Sequence, residues 1–201
     1  MTEIRRRRAA VIGGGITGIS AALFLQRDGH DVTVFERDEI GTGTSMGNSG
    51  VISIAGCIPT SVPGIVGRVP KMLMDPYGPL SIRWGYLPNL LPWLVSFARN
   101  SREDRVRANA RAKSALLELS HAAYDTLIEQ ADAESMISRR GVLKVFRSDA
   151  SFAGAKFEMD VMRECGRKFT VLGADDIRQM EPALQPIFEH GIFYDDNSAL
   201  R

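Results

Sequence analysis

Apolar positions along this chain fall into short runs of different period, and the period predicts the elements. Ala9 to Ile12 is a short strand-like run that ends in glycine. Ile19 to Leu25 is an apolar stretch of helical character stopped by Gly29, and Asp31-Val-Thr-Val-Phe35 reads as a second strand. From Gly41 to Gly50 no hydrophobic period survives, so a loop with closely approached backbone is expected. Pro59 to Pro92 is broken by Pro63, Pro70, Pro76, Pro79, Pro88 and Pro92, which argues against long helices and central strands. It is nevertheless apolar, with Trp84, Tyr86 and Trp93, so an ordered excursion packed on the body is expected, with a disordered lid as the alternative.

Further along, Ser101 is a candidate N-cap, with Glu103 and Asp104 in the first turn of a helix running to about Ala133. Val106, Ala110, Leu116, Leu117, Ala123, Tyr124, Leu127 and Ile128 supply its apolar face. Its arginines read as a solvated face, and His121 within it as structural or exposed. Gly141 to Phe146 predicts a strand, and Ser148 to Cys165 an amphipathic helix whose Phe152, Ala155, Met159 and Met162 point to the core. A strand at Phe169–Leu172, a short helix from Ala174 stopped by Pro182, a strand at Gly191–Tyr194 and a turn at Asp195–Ser198 complete the series.

The chemistry lies where the first strand meets the first helix. Gly13-x-Gly15-x-x-Gly18 sits between them, which is the context a dinucleotide fingerprint requires. Gly13 permits the tight turn, Gly15 lets the backbone approach a pyrophosphate, and Gly18 lets the helix pack closely. Phosphates would lie at the helix N-terminus, where free N–H groups and the helix dipole favour an anion. Glu36 follows the second strand, close to the spacing of about 20 residues expected for the acid that accepts from a ribose hydroxyl. A carboxylate there contributes about 1.5–3 kcal/mol to a hydroxyl donor and repels a 2′-phosphate, which disfavours NADP.

Composition narrows the classes. Of 201 residues, 44% are hydrophobic and 24% charged, which suits a globular chain rather than a disordered one. Lys and Arg number 25 against 24 acids, so no global field favours nucleic acid. The basic run Arg5–Arg8 before an apolar stretch superficially resembles a secretion signal. Glycines 13–15 interrupt that stretch and no small-residue cleavage site follows, so the arginines read as a solvated tail. Cys57 and Cys165 are too few and too separated for a disulfide framework or a metal site, and a reducing cytoplasm fits. No run reaches the roughly 18 apolar residues of a membrane span. Peripheral attachment at the inner face of the membrane is compatible with this composition.

The pairing of Val11-Ile-Gly-Gly-Gly-Ile-Thr-Gly18 and Val34-Phe-Glu-Arg37 with Thr44-Ser-Met-Gly-Asn-Ser-Gly-Val-Ile-Ser53 resembles the D-amino-acid-oxidase-type flavoprotein superfamily. Within it the sequence is most similar to bacterial D-amino acid dehydrogenases and their glycine-oxidase-like relatives. Met74 to Arg83, Leu91-Pro-Trp93 and Glu181-Pro-Ala-Leu184 extend the resemblance over nearly the whole chain. It implies an α/β fold: a Rossmann-like βαβ FAD-binding unit over residues 1–55 and part of an α+β substrate domain over 56–201.

It also implies FAD as cofactor. Gly13, Gly15, Thr17 and Gly18 would face its pyrophosphate, Glu36 its adenosine ribose, and Ser45, Asn48, Ser49, Gly50 and Val51 its isoalloxazine ring. Gly14, Ile16 and Arg37 complete the cofactor-binding set. The implied substrate is an amino acid, D-configured or secondary, oxidised to an imino acid, with an unknown electron acceptor. No metal is called for and no catalytic residue can be named, because the family's carboxylate-binding candidates lie mainly in a further half.

Since relatives continue about as long again, the chain reads as an N-terminal portion. It is expected to self-associate, to be unstable alone, or to need a complementing C-terminal half. Two alternatives remain: an NAD-dependent dehydrogenase, which the fingerprint alone permits, and a non-catalytic fragment. The long excursion after Ser53 argues against the first.

Overall fold

The computed structural model describes residues 6–75, 77 and 80–200. Arg5 of the basic run, and Pro76, Gly78 and Pro79 of the Met74–Arg83 segment, lie outside the described residues. In chain order the strands are β1 (Arg8–Ile12), β2 (Asp31–Phe35), β3 (Val51–Ile52), β4 (Ile137–Ser138), β5 (Val142–Phe146), β6 (Thr170–Gly173), β7 (His190–Tyr194) and β8 (Ser198–Leu200). The helices are α1 (Ile16–Arg27), α2 (Ile65–Met74), α3 (Leu87–Asn100), α4 (Glu103–Glu118), α5 (Ser120–Gln130), α6 (Asp149–Ala153), α7 (Lys156–Glu164) and α8 (Ala174–Met180), with short 3-10 turns at Trp84–Tyr86 and Glu134–Met136. Among the described residues no helix is long and apolar enough to cross a membrane.

The chain divides into two compact units, each drawn from separate stretches. The sequence suggests a boundary between residues 55 and 56. By contacts, the first unit comprises residues 6–52, 122–138 and 199–200, and the second 53–121 and 139–198.

In the first unit β1 and β2 pair in parallel, with Val11 opposite Val34 and Ile12 opposite Phe35, and α1 makes the crossover between them. Gly29, at φ +86°, closes α1, its N–H bonding the Gln26 carbonyl at 3.0 Å. A second sheet runs in the order β3-β8-β4. Ile137 lies opposite Leu200, and the Leu200 N–H donates to the Gly50 carbonyl at 2.9 Å.

The second unit centres on an antiparallel sheet of order β5-β7-β6. Ile192, 1% exposed on the middle strand, joins Ala155 and Met159, with Phe146, Phe152, Phe169 and Tyr194 around them. Ala55, Cys57 and Met162 form an adjoining cluster that shares Phe169 and Tyr194. The expected stripe of Ala155, Met159 and Met162 is therefore core, with Phe152 half-buried. The buried side chain of Asn197 accepts the Ile54 and Ala55 N–H groups at 3.0 and 3.2 Å, fixing the segment after β3 to the turn after β7.

Several helix expectations are corrected. The proline-rich stretch holds two helices. Pro88 occupies a first-turn position, where a missing N–H costs nothing, while Pro70 and Pro92 lie inside α2 and α3. Neither helix buries a residue, and Trp84 and Trp93 are 68% and 58% exposed, so the described residues of the excursion are largely helical but not packed as expected. The predicted helix from Ser101 to Ala133 is two, broken where the Leu119 N–H turns back to the Leu116 carbonyl. Ser101 does not cap it. Its hydroxyl donates to the Phe97 carbonyl at 2.9 Å, ending α3, and Arg102 takes the N-cap position without a side-chain bond. The buried face of α4 is Val106, Ala110 and Ser114, whereas Leu116 is 73% exposed. The helix predicted over Ser148–Cys165 divides at Gly154, where the Ala155 N–H bonds Phe152 rather than the carbonyl four residues back.

Candidate functional site

The turn from β1 into α1 is built by its glycines. Gly13 has φ +106°, a conformation side chains resist, and its N–H donates to the Phe35 carbonyl at 2.8 Å, tying the turn to the end of β2. A Cβ on Gly18 would come within 1.9 Å of the Gly13 carbonyl oxygen, and the nearest strand side chain, Val11, would be 3.5 Å away. Gly18 thus makes room chiefly for the turn itself. Gly15 is the N-cap of α1, has no side chain to cap it, and is followed by a first turn without acids. The positive end of the helix is left uncompensated by charge. Ile16 and Thr17, the first two helical residues, are exposed there.

Glu36 clasps this turn from the end of β2. Its Oε2 accepts the Gly14 N–H at 2.5 Å, and its Oε1 accepts those of Arg37 at 2.7 Å and Asp38 at 3.2 Å. The Gly14 N–H first, then those of Asp38 and Arg37, hold the carboxyl below its ordinary range, because each stabilises the charged form. The Arg37 side chain pairs with Asp38 at 2.9 Å, both exposed.

The second glycine-rich segment closes on the same place. Ser45 Oγ accepts the Ile16 N–H at 2.8 Å, capping α1 from 29 positions downstream, and a Cβ on Gly15 would sit 3.0 Å from that oxygen. The Gly41 N–H donates to the Gly14 carbonyl at 3.0 Å. Asn48 then folds the loop on itself, its Nδ2 donating to the Ser45 carbonyl at 2.7 Å and its Oδ1 accepting the Gly50 N–H at 2.6 Å. Gly47 and Gly50 have φ +73° and +62°, so the loop's path depends on glycine at both positions.

Gly13 to Gly18, Glu36 and Ser45 therefore meet around one helix N-terminus. Asn48, Ser49, Gly50 and Val51 line a mainly aliphatic cavity of about 590 Å³ beside α1. Ile16, Ile19, Ser20 and Leu23 form its α1 wall. Tyr124, Leu127, Ile128, Ala131, Ala133, Met136, Ile137 and Leu200 close it. Sequence reasoning missed these last residues as a group. Their helical period marked Tyr124, Leu127 and Ile128 as an apolar face, but period does not say what the face covers.

The fit to a dinucleotide is local and physical. A glycine turn that a side chain would obstruct, an acid-free helix start and an acceptor carboxylate at the end of β2 are what a pyrophosphate followed by a ribose requires. Two other groupings lie outside this site. His121 Nε2 contacts the Asp196 carbonyl oxygen at 2.8 Å, a structural role. Asp149, Glu189 and His190 bring potential metal ligands within 4.8 Å of one another, an arrangement accounted for by the 2.6 Å His190–Asp149 contact and the stacking of His190 on Phe152.

The chain is similar to several known proteins. A D-amino-acid oxidase of Bradyrhizobium diazoefficiens is 36% identical over 198 residues, covering 97% of this chain and 47% of the oxidase. A D-amino acid dehydrogenase of Phenylobacterium zucineum is 33% identical over 178 residues, covering 88% of this chain and 42% of the dehydrogenase. Among solved structures, glycine oxidase from Bacillus cereus shares the fold with a TM-score of 0.57 at 19% identity, over 98% of this chain and 40% of that one. The chain spans less than half the length of the curated relatives it matches. Residues 8–201 match the family described as "DAO: FAD dependent oxidoreductase". The chain therefore belongs to the DAO family of FAD-dependent oxidoreductases, whose cofactor is FAD.

Proposed function

We propose that this chain carries the cofactor-binding part of an amino acid oxidoreductase that converts a D-amino acid, or a related amine, to an imino acid. Hydrolysis of the imino acid then gives a keto acid and ammonia. FAD, when bound, supplies the acceptor for the hydride leaving the substrate Cα. The observation that carries the reading is the meeting of Ser45 and the glycine turn at the N-terminus of α1, with Glu36 clasping Gly14 from the other side.

In this reading Gly15, Thr17 and Gly18 present backbone N–H groups to the pyrophosphate, while Gly13, Gly14 and Ile16, whose N–H groups bond Phe35, Glu36 and Ser45, shape the turn that holds it. Ser45 accepts from Ile16 through a lone pair and keeps its O–H to donate to a phosphate oxygen. Glu36 accepts three N–H bonds, and a carboxylate has about four acceptor sites, so one serves a ribose hydroxyl. Arg37 lies on the adenosine side. Asn48, Ser49, Gly50 and Val51 form the wall toward the isoalloxazine ring. We assign the chain to the cytoplasm, on its reduced cysteines; recovery in washed membranes would move it to the inner face of the membrane.

The test is the visible spectrum of the purified chain, with chromatography of whatever heat denaturation releases. Release of FAD supports the reading and shows that these residues suffice for binding. A colourless sample that takes up FAD only with a downstream half supplied makes the site a shared one. Uptake of NAD in place of FAD overturns the proposal. With both halves present and FAD bound, absence of turnover on D-amino acids removes the substrate assignment.

A further inference from the structure

Cys57 and Cys165, far apart in sequence, meet in one core cluster of the second unit. Cys57 lies in the turn after β3, is 0% exposed and packs with Ala55 and Met162. Cys165, the C-cap residue of α7, lies against it and is only half-buried. Both are free thiols, brought into one packed cluster. The Arg167 guanidinium, held at 2.8 Å by both the hydroxyl and the carbonyl oxygen of Ser114, adds a positive charge beside the pair. Cys165 is therefore the more accessible of the two residues, and Cys57 is fully buried.

We propose that Cys165 and Cys57 are a modification site for hydroperoxides, closing to an intramolecular disulfide. In the first step the Cys165 thiolate attacks the O–O bond. An S–O bond forms, the O–O bond breaks, Cys165 is oxidised to a sulfenic acid and the peroxide is reduced to an alcohol, or to water when the oxidant is hydrogen peroxide. In the second the Cys57 thiolate attacks the Cys165 sulfur. The S–S bond forms, the S–O bond breaks, and the departing hydroxide takes up the proton that Cys57 released. Two thiols and one peroxide thus give one disulfide, one water and one alcohol. A positive charge at Arg167 favours the Cys57 thiolate that the second step needs.

Burial, followed by the neighbouring Cys165, pushes the Cys57 thiol up to about 11. Closure therefore gains about tenfold per pH unit below that value as the Cys57 thiolate fraction rises.

The experiment treats the purified full chain with hydrogen peroxide, blocks residual thiols with N-ethylmaleimide and maps tryptic peptides without reduction. The expected product joins the peptide of residues 38–68 to that of residues 164–167, lighter than their sum by two hydrogens. Cys57→Ala, checked for folding by circular dichroism, should instead accumulate a sulfenic acid at Cys165 that dimedone traps. Cys165→Ser should leave Cys57 unmodified in the folded chain and reactive in urea. Both thiols remaining fully blockable after peroxide overturns the proposal, as does a disulfide that forms only between chains. Oxidation of Cys57 at an undiminished rate in Cys165→Ser rejects the assigned order of attack.

Discussion

Adding a single carbon at residue 18 would place it 1.9 Å from a backbone oxygen of Gly13 that has no slack to move, because the Gly13 N–H is already tied to Phe35. Gly18→Ala is expected to lose about 1–3 kcal/mol of stability, read from the urea midpoint, and to lose FAD retention beyond what that loss explains. Glu36 gives a pH signature. Its folded-state pKa lies below the ordinary 4.5, so its contribution is present above about pH 4.5 and is lost as pH falls through the lowered value. The stability gap between wild type and Glu36→Gln should therefore narrow on acidification, which a series of thermal midpoints would show. At this scale the glycines and Glu36 were legible because each satisfies a rule of backbone freedom or spacing. The N–H groups Glu36 binds were not, because the Gly14 partner is set by the folding of the turn 22 positions away.

Between elements, the leverage lies in Asn197. It is 4% exposed, and its side-chain oxygen serves two backbone donors in the segment after β3. Asn197→Ala should cost about 1–3 kcal/mol for each donor left buried without a partner, and hydrogen exchange at Ile54 and Ala55 should quicken. Asn197→Asp, which keeps an acceptor, should protect those amides better than Ala does. Strands β1, β2, β5, β6 and β7 and the glycine turn were readable because their signals are local, whereas β3, β4 and β8, two or three residues each, were not, and Ser198, expected in a turn, opens β8. The helices around Ser101 and Leu119 were misread where two adjacent helices compete for the same residue. Ser101 is a good N-cap by type, yet the end of α3 claims its hydroxyl. Pro70 and Pro92 misled for a related reason: a proline removes one bond from a helix, and amphipathic residues on either side can sustain the rest.

For the whole molecule, buried Cys57 and half-buried Tyr194 set the alkaline limit. Burial chiefly raises Cys57 from 9.0 to about 11 and Tyr194 from 10.0 to about 12, so the unfolded chain ionises first. Stability should be level below about pH 9 and decline as pH rises through these values. Cys57→Ala should blunt the earlier part of that decline. Exposed apolar residues set a second limit: Ile12 is 89% exposed and Phe35 58% on a sheet of two strands. The isolated chain should therefore elute larger than a monomer, or melt without cooperativity; a monomer with a sharp transition would contradict this. The interleaving of the two units was not readable from local pattern, because it arises from pairing over long sequence separations. That pairing also constrains biosynthesis. Strand β8 lies between β3 and β4 in their sheet. On a translating ribosome β3 and β4 emerge before the strand that lies between them, so the sheet beside the Asn48–Val51 loop, and the cavity that Leu200 helps to line, can form only after residue 200 has cleared the exit tunnel.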